Sequence, residues 1–224
     1  MARLVLWDID HTLIATGGVG RELSAAAFEQ VLGIPMREQA TVDGLTEAVI
    51  FRETARLHGV DSDRAMFERF AAALAEEHVR RASDLRERGH ALPGAAEALG
   101  ALAAAGVRQT VVTGNVRAVA GIKLAVFGLD RHIDWASGAY GEDADLRPAL
   151  VRIALARAEA SPVDAVVIGD TPADMAGARA NGVPVIGVAT GRSDPRSLQR
   201  SGADTVLMGL DDTDGLVELV LGTG

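Results

Sequence analysis

Trp7-Asp8-Ile9-Asp10-His11-Thr12-Leu13 ends an apolar run, Arg3–Trp7 (RLVLW), that has the pattern of a buried β-strand. In an extended chain alternate residues project to the same side, so Asp8 and Asp10 are expected to share one face. The strand would deliver both to its carboxyl end, where open α/β sheets place their ligands. Two carboxylates that close repel unless a cation lies between them or one keeps a proton. Either arrangement suits catalysis, whereas two solvated aspartates in a surface loop would suit nothing further.

Working outward, short apolar runs recur at Gln109–Val112, Ala165–Ile168, Val185–Val188 and Thr205–Met208. Helical patterns separate them at Ala95–Ala105, Val116–Phe127, Pro148–Ala160, Pro172–Asn181 and Asp214–Leu221. Strands alternating with helices predict an α/β fold, a Rossmann-like parallel sheet with helices on its faces. One region breaks the alternation. From about Arg21 to Arg88 the apolar residues recur at helical spacing, as in Phe28, Val31, Leu32 and in Phe67, Phe70, Leu74, with no strand between them. Turn-rich crossings flank it at Thr16–Gly20 (TGGVG) and Arg88–Gly94 (RGHALPG). The expected architecture is an α/β core formed by residues 1–15 and 89–224, with an all-helical insertion at 16–88.

Composition narrows the chemistry. The chain of 224 residues carries 22 Lys and Arg against 31 Asp and Glu, a net charge of −9. Nucleic acids and anionic membranes both call for a basic face, so neither is an expected partner. With no cysteine, disulfides, thiolate metal sites and cysteine nucleophiles are excluded. The longest charge-free run worth weighing as a membrane span, Ala98–Val107, has half the length required, and Leu4–Trp7 is too short for a signal peptide core. A cytoplasmic protein is expected. An aromatic content of 4% offers no sticky patch, and the expectation is a monomer or small homo-oligomer. Lys123 is the only lysine, which removes lysine chemistry from almost everywhere else.

Three further segments join the first. Val111-Val112-Thr113-Gly114-Asn115 puts a hydroxyl at a strand end, followed by a glycine that lets backbone N–H groups approach an anion. Asn115 equally suits a helix N-cap. Val167-Ile168-Gly169-Asp170-Thr171-Pro172-Ala173-Asp174 brings a third aspartate to the end of a third strand. Thr171, Pro172 and Asp174 also fit a capping box, with proline at the first helical position, but capping does not explain Asp170. Arg147, in Asp145-Leu146-Arg147-Pro148, opens a helix and offers a cation to such an acidic cluster.

The ordered set Asp-x-Asp-x-Thr, Thr-Gly, a basic residue and Gly-Asp-x-x-x-Asp resembles the haloacid dehalogenase-like superfamily. Within it, the likeness is to the phosphoglycolate-phosphatase-like branch with a helical cap, over the whole chain. The resemblance implies a Mg²⁺-dependent phosphatase of small phosphorylated metabolites. Asp8 would be the nucleophile, forming an aspartyl-phosphate, and Asp10 the acid and then the base. Mg²⁺ would lie among the Asp8 carboxylate, the Asp10 backbone carbonyl and Asp170, with Asp174 in support. Thr113 and the N–H groups near Gly114 and Asn115 would bind phosphoryl oxygens, Thr12 would orient the nucleophile loop, and Arg147 would supply the cation. Asp8 should be ionised and Asp10 able to hold a proton.

Two departures stand out. The basic residue is commonly Lys, and here Arg147 takes its place, since Lys123 comes too early in the order. Arg is permanently charged and can bind bidentately, so the role survives. His11 stands where glycine is common, and is either a substrate contact or a packing residue. Asp10 and Asp170 argue against a dehalogenase, which needs neither. A Schiff-base phosphonate hydrolase needs a cap lysine, and residues 16–88 contain none. A phosphomutase shares the core and stands as the alternative, with a non-catalytic binding module behind it. Thr16–Gly20 lacks the spacing of a dinucleotide fingerprint, and Gly187–Ser193 (GVATGRS) misses a P-loop by one residue.

Overall fold

The computed structural model describes residues 4–222, so Arg3 of the expected first strand lies outside the described residues. A parallel sheet of five strands runs in the order β4-β1-β5-β6-β7, with β1 Leu4–Trp7, β4 Arg108–Val111, β5 Ala165–Gly169, β6 Val185–Val188 and β7 Thr205–Leu207. Strand β1 pairs in register with both neighbours, Trp7 standing opposite Val111 on one side and Ile168 on the other. It is buried throughout, as a central parallel strand must be, since helices cover both faces.

The two-residue period decides which helices see which side chains. Val5 and Trp7 belong to one apolar cluster, with Leu99 and Leu102 of α5 (Ala95–Ala104), Ala120 and Leu124 of α6 (Arg117–Val126), and Leu216 and Val220 of α10 (Thr213–Leu221). Leu4 and Leu6 face the opposite cluster, with α7 (Arg147–Arg157), α8 (Pro172–Arg179) and Leu198 of α9 (Pro195–Arg200). The large Trp7 side chain is fully buried, and its one polar atom, Nε1, donates to Gln109 Oε1 at 3.0 Å. Removing that indole would cost about 3–5 kcal/mol.

Between β1 and the rest of the sheet lies the helical block: α1 Val19–Leu32, α2 Glu47–Leu57, α3 Arg64–Arg80 and α4 Ala82–Arg88. A two-stranded antiparallel ladder, β2 Ile14–Ala15 with β3 His90–Ala91, ties its entry to its exit. The sequence did not announce this ladder, because two-residue strands carry no period. Phe28, Phe51, Phe67 and Phe70 form the block's own aromatic core, Phe51 stacking on Phe70 at 4.5 Å between centroids. That cluster reaches Val116 and Val119, so α6 is shared between block and sheet.

The block also leans on the strand ends. A Cβ on Gly114 would lie 2.2 Å from the Leu45 carbonyl oxygen, and one on Gly44 2.7 Å from the Ala173 Cβ. Glu47 N–H donates to Gly114 O at 2.8 Å. Asp43, Arg52 and Arg64 reach across to Arg192, Asp145 and the Glu142 carbonyl.

Candidate active site

The carboxyl ends of β1, β4 and β5 meet at the point where the chain leaves β1 for strands on either side. Each contributes its segment there. Strand β1 stops at Trp7, and the chain then turns: Ile9 O accepts from the N–H groups of Leu13 and Ile14 at 2.9 and 3.2 Å. The turn follows Asp10, which forms an isolated bridge with Ile14, and the two carboxylates take different partners.

Asp8 belongs with Asp170 and Asp174. All three are buried, and each offers a carboxylate oxygen within 4.8 Å of the other two. Arg147, itself buried, donates from Nη1 to Asp8 Oδ1 at 3.3 Å and to Val112 O at 2.8 Å. Its Nε lies 3.3 Å from Asp174 Oδ1, close enough for charge attraction but not aligned for a hydrogen bond, so both buried atoms lack a hydrogen-bond partner. Thr12 Oγ1 sits between Asp8 Oδ2 and Asp170 Oδ1, 3.4 Å from each.

Two glycines make the crowding possible. A Cβ on Gly169 would fall 2.4 Å from the Asp174 Cγ, and one on Gly191 1.8 Å from Asp170 Oδ2. Gly191 belongs to the GVATGRS segment, so that turn has a reason to lack side chains. Asp174 also caps α8, its Oδ2 accepting from Thr171 N–H and Oγ1 at 3.1 and 2.7 Å.

Asp10 belongs to a second network. Lys123 Nζ donates to both Asp10 carboxylate oxygens at 2.8 Å and to Asn115 Oδ1 at 2.7 Å. Asn115 Nδ2 donates to Asp10 Oδ2 at 2.7 Å and to Thr113 Oγ1 at 2.8 Å. The Asn115 side chain is therefore spent on Asp10, Lys123 and Thr113, and its backbone N–H donates to Thr113 Oγ1 at 3.2 Å, which leaves the Gly114 N–H and the Thr113 hydroxyl proton to meet an anion. His11 has an exposed side chain and a φ of 61°. That left-handed conformation is a physical reason for glycine to be common at the position.

The electrostatics split the same way. Burial first, then Asp174, push the Asp8 carboxyl well above the usual carboxylate range, with Asp170 and Asp10 adding to the rise and Arg147 opposing it. Asp170 is pushed up to about 7, chiefly by burial and then by Asp174. For Asp10, burial also raises the pKa, but the charge and hydrogen bonds of Lys123, with Asn115, hold it below the usual range. Sequence reasoning expected Asp8 ionised beside a metal ion and Asp10 able to hold a proton; among the protein's own groups alone, burial and Asp174 raise Asp8, while Lys123, to which no part was assigned, lowers Asp10.

Three residues went unrecognised. Lys123 had a signal: the only lysine, on the buried face of α6 with Val119, Ala120 and Leu124. His78 lies one helical step beyond the stripe Phe67, Phe70, Leu74, and is buried. Glu47 had no such mark. Its carboxyl is pushed up to about 7, mainly by burial, against the attraction of Lys123.

The donor set suits a divalent cation. Four carboxylates, Asp8, Asp10, Asp170 and Asp174, face two cations, Arg147 and Lys123, leaving two negative charges uncompensated. Hard oxygen ligands of this kind select Mg²⁺ or a similar ion. Among the described residues no helix is long and apolar enough to cross a membrane.

Comparison with known proteins agrees with this geometry. Residues 5–188 match the family described as haloacid dehalogenase-like hydrolase. The chain is similar to a phosphoglycolate phosphatase of Rhodospirillum rubrum, 31% identical over 205 residues that cover 86% of this chain and 82% of that one. Solved structures share the fold across nearly the whole chain. A hydrolase from Pseudomonas syringae superposes with a TM-score of 0.71 at 22% identity, covering 98% of this chain and 99% of its own. A HAD hydrolase of family IA from Entamoeba histolytica gives 0.70 at 15%, covering 99% and 100%. The chain belongs to the haloacid dehalogenase-like hydrolase family.

Proposed function

We propose that the protein is a phosphatase that hydrolyses a small phosphorylated metabolite through an aspartyl-phosphate on Asp8, with Mg²⁺ as cofactor. The observation that carries this reading is the division of the two aspartates, Asp8 among carboxylates and Arg147, Asp10 with Lys123 and Asn115. The similarity to a phosphoglycolate phosphatase supports the reaction class.

Asp8, Asp170 and Asp174 would hold the cation, with the Asp10 backbone carbonyl as a further ligand, its side chain being engaged by Lys123. The cation would neutralise the cluster and draw charge from the phosphoryl oxygens, so that an anionic carboxylate can approach an anionic phosphate. Asp8 attacks phosphorus, the bond to the leaving oxygen breaks, and Asp10 in its protonated form supplies that oxygen's proton. Water then attacks phosphorus while Asp10, now a carboxylate, takes its proton, and the bond to the Asp8 oxygen breaks, which frees phosphate and regenerates the Asp8 carboxylate. The pairing with Lys123 favours that carboxylate form, so the closed structure matches the second half of the cycle. Arg147 holds Asp8 in line, and the Thr113 hydroxyl and the Gly114 N–H beyond it receive the phosphoryl oxygens. Residues 16–88 act as the cap, pressed by Leu45 and Glu47 against Gly114, where closure excludes water.

Phosphate release from p-nitrophenyl phosphate and a panel of phosphomonoesters, with Mg²⁺ and with EDTA, tests the reading. Turnover that requires the metal is expected. Release that persists in EDTA, or formation of an isomeric sugar phosphate in place of free phosphate, would overturn it.

A further inference from the structure

Residues 140–146 form neither helix nor strand, yet they touch both electrostatic regions of the site. They run from Ala139, which bridges Val112 just beyond β4, to Arg147 at the start of α7. Gly141 N–H donates to Asn115 O at 2.8 Å, and a Cβ on Gly141 would lie 1.9 Å from Gly114 O. The Glu142 carboxylate accepts from Arg117 N–H at 2.9 and 3.0 Å. It thereby holds the first turn of α6, the helix that carries Lys123. Asp145 then stands two residues before Arg147, the cation that meets Asp8.

The cap grips this strap with three side chains. Thr46 Oγ1 donates to Asp145 O at 3.4 Å, Arg52 Nη2 lies 3.0 Å from Asp145 Oδ2, and Arg64 Nη1 donates to Glu142 O at 3.0 Å. Among the described residues Asp145 has no other hydrogen-bond or ion-pair partner, so its polar anchors are cap residues alone. Asp145 and Leu146 are both exposed, and an exposed loop with few contacts is where a fold yields first.

Arg147 is itself loosely set. Its Nη1 lies 3.3 Å from Asp8 Oδ1, beyond the roughly 2.7–2.9 Å of a charge-assisted hydrogen bond, and its buried Nε has no hydrogen-bond partner. A small shift at the head of α7 therefore changes how Asp8 is aimed, and rates are sensitive to such aim.

We infer that the cap's grip on residues 140–146 sets Arg147, with Arg52 and Asp145 as a positioning pair that acts on Asp8 through it. The inference rests on the phosphatase reading for what Arg147 does. It adds that the core site is complete only while the cap holds the strap.

Hydrogen exchange read by mass spectrometry, together with p-nitrophenyl phosphate turnover in Mg²⁺, tests this on wild type, Arg52→Asp, Asp145→Arg and the double swap. The two side chains are 46% and 50% exposed, so the melting temperature should hold. In Arg52→Asp, whose change lies outside the strap, peptides across residues 140–150 should exchange at least about threefold faster, while those of β1 and β5 keep their rates. In each single variant kcat should fall by about threefold to tenfold with KM nearly unchanged, and the swap should restore kcat to within about twofold. Unchanged exchange across the strap in Arg52→Asp would overturn the inference, whatever the turnover. So would a swap that restores nothing. So would single variants in which KM rises and kcat holds, the mark of a pair that only shuts the cap. Wild type silent on p-nitrophenyl phosphate would overturn the phosphatase reading instead, and the exchange rates would still decide whether the cap holds the strap.

Discussion

Two aspartates, Asp8 and Asp10, leave the same strand end two residues apart, yet they inhabit opposite electrostatic regions. Asp8 lies among Asp170 and Asp174 with one arginine to steady it, and its carboxyl resists ionisation. Asp10 lies on the sole lysine and an asparagine, and its carboxyl ionises readily. Sequence distance does not set the difference. A turn at Ile9–Ile14 aims one side chain toward α7 and α8 and the other toward α6. On the proposed reading, one region receives positive charge and the other moves a proton.

The largest effect should come from the first region. Asp8→Asn removes the nucleophile and should cut kcat by at least about 10⁴-fold. The same variant in EDTA should unfold at a higher temperature than wild type, because one of three repelling carboxylates is gone. A variant that kept turnover would break the comparison outright, since Asp8 would then be no more than a ligand.

Lys123→Met strikes the second region. With the cation lost, Asp10 should hold its proton to higher pH, and the alkaline limb of the kcat/KM profile, set by the proton that Asp10 gives the leaving oxygen, should move up. Turnover at neutral pH should fall by about 10- to 100-fold, part of what a positioned acid–base group supplies. An unmoved pH profile would show that Lys123 does not govern Asp10.

A smaller effect lies in stability against pH. Asp170, pushed up to about 7, and Asp8, also raised, bind protons in the folded state that they lose on unfolding. Their contribution to stability is intact below the ordinary carboxylate range and is lost as pH rises through about 7. In EDTA the melting temperature should therefore drop by roughly 5 °C or more between about pH 5 and about pH 8. Mg²⁺, by binding the ionised cluster, should recover more at the higher pH. Asp10 has the opposite sign, since its stabilisation is present at neutral pH and lost only as pH falls below the ordinary carboxylate value. Calorimetry with and without Mg²⁺ at both pH values would check this.

The smallest effect belongs to the exposed pair that joins the helical block to the turn after β6. Arg192→Ala breaks its contact with Asp43, an exposed bridge of 3.1 Å worth less than about 1 kcal/mol. It should leave the melting temperature almost unchanged and raise KM before it lowers kcat.

The sheet was largely legible in the sequence. β6 falls at Val185–Val188 as the pattern expects, β1 matches it over the described residues Leu4–Trp7, β5 and β7 differ by one residue at an end, and β4 is shifted by one residue. Buried parallel strands read as continuous apolar runs, and their order along the chain is enough to place them. Helix α9 and the β2–β3 ladder were not legible, being too short to carry a period.

Within the site, Asp8, Asp170, Asp174 and Arg147 were marked by strand ends and helix starts, and the fold brings them together. The second network was not, because it depends on tertiary approach. Lys123 lies 113 residues from Asp10, and nothing local in either segment announces the pairing. Asn115 reads locally as a helix cap, yet α6 begins at Arg117 and the Asn115 amide is held by Asp10 and Thr113. Asp43, Arg52 and Arg56, charged residues of the helical block, are all committed to surface ion pairs.

The central claim is that the two aspartates divide the labour, Asp8 carrying the phosphoryl group and Asp10 the proton. The most direct measurement is acid-quenched peptide mass analysis of Asp10→Asn after incubation with Mg²⁺ and p-nitrophenyl phosphate. That substrate has a leaving group that departs without much help, so attack should outrun hydrolysis. The account predicts one phosphoryl group on the peptide carrying Asp8, absent when EDTA replaces Mg²⁺. A phosphoryl group on any other residue, or steady turnover with no labelled peptide at any time point, would contradict it.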